Sequence, residues 1–147
     1  MNIISSLCLA LCFVLLGVNR ILNIKRNTLS LYEAVRFINM VKNNIRFSSM
    51  DYENLIKCGK MENFSFIDFS KGISLSAYAS EKVRSEFLSF VNKIGTTDEA
   101  GQLSICDEYI ERFKVFYNES ASNEKGKVNI VGALSVLSVV CVLILGG

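Results

Sequence analysis

Apolar residues recur at spacings of three and four along Leu31, Ala34, Val35, Phe37, Ile38, Val41 and Ile45. That periodicity predicts an amphipathic helix over 30–47 with a broad buried side. Ser30 and Glu33 have capping-box spacing, so the helix is expected to begin at Ser30. A short second helix is expected over 49–58, with Ser49 as its cap, Asp51 and Glu53 near its start and Gly59 at its end. The run Phe64, Phe66, Ile67, Phe69 suits a strand or a buried helical turn equally well. No partner strand is evident elsewhere in the chain, so a short helix with core aromatics is expected. Helical periodicity resumes over 75–94, offering Tyr78, Val83, Phe87, Phe90, Val91 and Ile94 for burial, and stops at Gly95. Leu103, Cys106, Ile110, Phe113 and Tyr117 then give the strongest helical signal in the chain. The polar stretch 118–127 reads as a solvated continuation of that helix or as a flexible link. With no proline anywhere, a single helix from Asp98 into the C-terminal run is compatible with the sequence, Gly126 marking a bend.

The two ends follow a different pattern. All 30 charged side chains lie between Arg20 and Lys127, leaving uncharged runs of 19 residues (1–19) and 20 residues (128–147). A bilayer core about 30 Å thick needs roughly 20 apolar residues in helix, so both ends are expected to span a membrane. The first run has neither the basic start nor the small-x-small cleavage site of a secretory signal. Cys8 and Cys12 follow Leu7 and Leu11, where a lipoprotein site would have a small residue. The first run is therefore expected to be an uncleaved anchor. The expected division is a transmembrane helix at 1–22, a helical-bundle domain at 23–127 and a second transmembrane helix at 128–147. The fold class expected is all-α, with about five to six helices in the bundle.

Charge sets the orientation expected of that arrangement. Arg20, Lys25 and Arg26 follow the first run, and Lys125 and Lys127 precede the second. Basic residues beside spans stay cytoplasmic, so the middle domain is expected to face the cytoplasm. These five residues form a membrane-surface flank, where each cation contributes on the order of 1 kcal/mol toward anionic headgroups. Cys58 and Cys106 suit a reducing compartment as packed thiols. From Arg20 to Arg46 six basic residues stand against Glu33. From Asp98 to Glu124 seven acidic residues stand against Arg112 and Lys114. Charge-complementary packing of the first and last bundle helices is expected, in preference to a polarised partner surface.

Catalytic chemistry has little to stand on. The chain has no histidine, no CxxC pair, no phosphate-binding GxxxxGK[ST] loop and no GxGxxG after a strand. No cofactor, metal or nucleic acid is expected. The best polar constellation is Gly95, Thr96, Thr97 and Asp98 with Gln102. Its expected role is a helix-hairpin turn, with Gly95 ending one helix and Thr96 with Glu99 boxing the next, and partner contact as the sharper alternative.

The C-terminal half carries a family resemblance. Phe87-Leu88 and Phe90, then 94–98 with Gln102, a polar helix, Asn123-Glu124-Lys125, and Val131-Gly132-Ala133-Leu134 in the final run resemble the stage III sporulation protein AB family. There an LGxxD…Q turn precedes a GxL entry into the last membrane helix. The match runs from about Glu81 to the end, and the plan of span, helical domain and span agrees throughout. The family's Glu-rich stretch and Thr-Pro-Leu-like turn are missing here, where the chain reads Asn43-Asn44-Ile45 and Ser49-Met50-Asp51.

The resemblance implies a bundle similar to the cytoplasmic domains of type II secretion inner-membrane F proteins. It implies a place in the mother-cell membrane of a spore-forming bacterium, as a platform subunit of the channel to the forespore. Expected partners are the membrane, other channel subunits, a sister protein resembling a secretion ATPase, and further copies of the chain. A self-assembling, holin-like pore is the rival class, suggested by Gly132, Ala133, Ser135 and Ser138. A membrane-tethered enzyme is the third.

Overall fold

The computed structural model is described for residues 3–47 and 52–146, with side-chain detail for 8, 11–46, 53–141 and 144. Among these residues the fold is mostly helical: α1 (Ile3–Phe47), α2 (Tyr52–Met61), α3 (Glu81–Lys93) and α4 (Glu99–Gly146). Two short strands, β1 (Ile67–Asp68) and β2 (Ser74–Leu75), join α2 to α3. The all-α expectation holds at that level, but four helices replace the larger number expected. Residues 26–120 form one compact unit, and 1–25 with 121–147 form another.

In the unit 26–120 the core is a set of facing stripes. Leu31, Ala34, Phe37, Ile38, Val41 and Ile45 of α1 meet Val83, Phe87 and Phe90 of α3 and Cys106, Tyr109, Ile110 and Phe113 of α4, all buried. Phe37 organises the centre, its ring 5.8 Å from Phe64, 6.1 Å from Phe69 and 5.6 Å from Phe87, in tilted or edge-on geometry. Such pairs add about 0.5–1.5 kcal/mol each beyond area burial. The buried Tyr109 stacks on Phe90 at 5.4 Å and shares a 2.9 Å hydrogen bond with Ser89.

Several local expectations are corrected. Ser30 does not start a helix: α1 begins far upstream, and the Ser30 hydroxyl donates to the Asn27 carbonyl at 2.7 Å. Glu33 is not its capping partner, because its carboxylate accepts the Ser65 and Phe66 amides at 3.1 and 2.6 Å. The expected Ser49 cap lies outside the described residues. Gly59 does not end α2, which continues to Met61, with Asn63 in the left-handed region (φ 53°) beyond it.

The aromatic run is not helical. Ile67 and Asp68 pair antiparallel with Leu75 and Ser74, so the partner strand sits where helix was expected. Ile67 and Leu75 face the core while Asp68 and Ser74 face out, as strand geometry requires. The Ser76 amide extends the ladder to the Phe66 carbonyl at 2.8 Å. In the connecting turn, Asp68 accepts the Ser70 amide at 2.8 Å. That bond holds its carboxyl below the usual carboxylate range, with help from the Ser70 hydroxyl and Lys71. The next helix therefore starts only at Glu81, where the Ser80 hydroxyl caps the Val83 amide at 3.4 Å. Tyr78, expected in the core, is exposed.

Charge pairing between α1 and α4 is realised through the Lys42–Asp107 ion pair. Arg36 turns elsewhere, to Glu62 at 2.6 Å and over the Phe64 ring. Cys106 lies fully buried as a free thiol, and burial first, then Asp107, pushes its pKa up to about 11.

Candidate functional site

The turn between α3 and α4 brings together every residue singled out there. Gly95 adopts φ 85°, which side chains with a Cβ rarely tolerate, and so ends α3. The Thr96 hydroxyl donates to the Lys93 carbonyl at 2.7 Å. Thr96 does not cap the following helix. Asp98 does: its carboxylate accepts the Gly101 amide at 3.0 Å, three positions on. A cap oxygen reaches the amide of the third helical residue most directly when it comes from the residue just before the helix, which here is Asp98. Gln102 reaches back from the first turn of α4 and donates to the Thr97 carbonyl at 2.9 Å. The polar groups of this cluster bind one another, while residues 95–100 stay exposed. That is the geometry of a rigid, solvent-facing corner.

A second polar cluster escaped the sequence reading. Asn27 and Thr28 of α1 both contact the Ser120 hydroxyl of α4 at 3.1 Å, and the Asn27 side-chain oxygen accepts the Ser80 amide at 3.3 Å. Ser30 and Thr28 are buried. A polar break in the apolar stripe of α1 was the available signal. The cluster clasps α1, the start of α3 and α4 at one end of the unit 26–120.

The unit made of 1–25 and 121–147 is a helix pair. Gly17 is buried, and a Cβ there would overlap the Ser135 hydroxyl, so the helices touch at that point. Elsewhere their apolar side chains face outward: Leu11, Leu15, Leu16, Ile130, Val136, Leu137 and Ile144 are 60% to 73% exposed. The Ser135 and Ser138 hydroxyls donate to carbonyls four residues back at 2.8 and 2.7 Å. Among the described residues no helix is long and apolar enough to cross a membrane. Both uncharged runs continue into end residues outside those with described side chains.

The five basic flank residues divide between the units. Arg20, Lys25, Lys125 and Lys127 belong to the helix pair and are exposed. Arg26 belongs to the bundle, donating to the Tyr78 hydroxyl at 3.0 Å with its guanidinium 4.6 Å from that ring centre. Among the described residues no cluster of three or more His, Cys, Asp and Glu is placed to hold a metal ion. No family model matches the sequence, and no curated protein or solved structure matches it.

Proposed function

We propose that this chain is a non-catalytic assembly subunit, anchored in a membrane by its two apolar ends and presenting the bundle 26–120 to the cytoplasm. One observation carries the reading. In the bundle a contiguous apolar core is buried and exposed apolar side chains such as Leu29, Met61 and Leu88 are scattered, whereas around the helix pair they stand exposed along both helices, a surface that water disfavours and lipid accepts. The back-bonded serines support it, because hydroxyls in lipid need partners within the protein. The resemblance to the stage III sporulation protein AB family supplies the setting: a mother-cell membrane and a channel to the forespore. The rigid corner at 95–102 is the proposed contact for other channel subunits, among them a secretion-type ATPase.

Thiol labelling tests the anchoring. With an impermeant maleimide on intact cells, Cys58 should stay unmodified and react only after lysis. Reaction on intact cells would reverse the orientation and remove the docking proposal. A photocrosslinker at Thr97 in sporulating cells tests the partner. Capture of a secretion-type ATPase supports a platform, and capture of identical copies alone favours a pore. Asp98→Ala should weaken that crosslink more than membrane insertion. The pore reading keeps one specific support, since a Cβ added at Gly132 would meet nothing within 4 Å, leaving room for another helix there. Dye release from vesicles carrying the protein alone would favour it.

A further inference from the structure

Within the helix pair, Phe13, Leu16, Gly17 and Arg20 of α1 face Val131, Leu134, Ser135 and Ser138 of α4 across an open cleft of about 370 Å³. That volume is in the range of small-molecule sites. The cleft is mostly apolar, yet Arg20 contributes a cation to its lining, and Arg20 has no ion-pair partner among the described residues. Along α1, Arg20 lies one turn beyond Gly17, the point where the helices touch. A basic surround continues outward, because the unit holds Arg20, Lys25, Lys125 and Lys127 against the single acid Glu124.

We propose that this cleft holds one anionic phospholipid of the surrounding membrane, its acyl chain against Phe13, Leu16 and Leu134 and its phosphate on Arg20. The proposal rests on the anchoring reading and adds to it a specific lipid class and seat. Two properties select this occupant. An open, mostly apolar cleft with a cation in its lining matches a hydrocarbon chain joined to a phosphate. A guanidinium binds phosphate through paired N–H donors, which an uncharged headgroup or a second apolar helix would leave unused. The net positive charge of the unit further favours an anionic over a zwitterionic lipid. The serines do not compete for the headgroup, since both hydroxyls already donate to their own helix.

The test uses the full chain reconstituted in vesicles of phosphatidylcholine alone or mixed with phosphatidylglycerol, with insertion followed by flotation. Lipid retained per inserted chain is then counted by native mass spectrometry after detergent extraction. Wild type should float with both vesicle types and retain phosphatidylglycerol in preference to phosphatidylcholine. Arg20→Gln should reduce that preference about fivefold. Ser138→Phe, which fills the cleft and keeps every charge, should reduce it likewise. Lys25→Gln should have a smaller effect. Equal effects of Arg20→Gln and Lys25→Gln would overturn the seat in favour of diffuse surface charge. A wild-type dimer retaining no anionic lipid would overturn it in favour of a second copy. Failure of wild type to float would instead overturn the anchoring reading itself.

Discussion

Replacing Gly59 by alanine should destabilise the bundle, against the usual direction of that change. Inside a helix, glycine to alanine ordinarily stabilises by about 0.5–1 kcal/mol, because glycine loses more backbone freedom on folding. Gly59 sits inside α2, where a Cβ would collide with the edge of the Phe69 ring. The ring cannot simply swing away, since it packs 6.1 Å from Phe37 and 6.3 Å from Phe64. Overpacking of this kind costs about 1–3 kcal/mol, so the net loss should be about 1 kcal/mol. With a urea dependence of roughly 1–3 kcal/mol per molar, the unfolding midpoint should fall by about 0.5 M. The full chain in detergent micelles can be titrated with urea and followed by alkylation of Cys106, which is inaccessible in the fold. Adding Phe69→Leu should lessen the cost of Gly59→Ala, a coupling that only neighbours show. A midpoint that rises with Gly59→Ala alone would refute the seating of Phe69 over α2.

The other expectations are simpler. Gly95→Ala should destabilise by about 1 kcal/mol, because the φ of 85° is retained by the turn and strains any Cβ, and the same urea titration reads it. Cys106, with its pKa pushed up to about 11, should resist thiol reagents in the folded chain at pH 8 while Cys58 reacts, as peptide mapping would reveal. Asp68 has a depressed pKa in the fold, so its contribution is present above its unfolded value and lost as pH falls through the lower folded one. The urea midpoint of the wild type should therefore fall more steeply below about pH 4 than that of Asp68→Asn.

How far the sequence reveals this fold depends on whether a signal is local. The stripe on α1 and the heptad-like run on α4 were legible because a helix buries residues three and four apart whatever it packs against. Leu31, Ala34, Phe37, Ile38, Val41, Cys106, Ile110 and Phe113 are all buried as the spacing predicts. The hairpin was not legible. Each strand is two residues long, too short for alternation to declare itself, and Leu75 could equally begin a helical stripe. The contact that holds the approach to the hairpin is distant: the Glu33 carboxylate, about a third of the domain away in sequence, binds the amides of Ser65 and Phe66. Helix starts failed for the same reason. Ser30 and Thr96 have capping spacing, but α1 runs straight through the first, and α4 starts two residues later than a Thr96 cap would place it, with Asp98 accepting the Gly101 amide. The corner at 95–102 was found because its glycine and its acid are local signals, and the clasp around Asn27 was missed because its partners are more than fifty residues away.

That clasp bears on why polar residues occupy a buried stretch of the bundle at all. A hydroxyl taken from water without a partner costs on the order of 1–3 kcal/mol, so apolar side chains would be the safer filling at positions 28 and 30. Here no such cost is incurred, since Thr28 meets Ser120 and Ser30 meets the Asn27 carbonyl. Apolar stripes slide past one another with little penalty, whereas a hydrogen bond lost by a one-turn slip leaves a buried donor unmet. Asn27, Thr28 and Ser120 thus set the register of α1 against α4 within the bundle, and Asn27 ties α3 to the same point through the amide of its cap residue Ser80. Exposed apolar side chains such as Leu11, Leu16, Val136 and Leu137 in the helix pair are non-directional and set no register by themselves. Within the bundle, register is therefore specified by these hydrogen bonds between α1, α3 and α4.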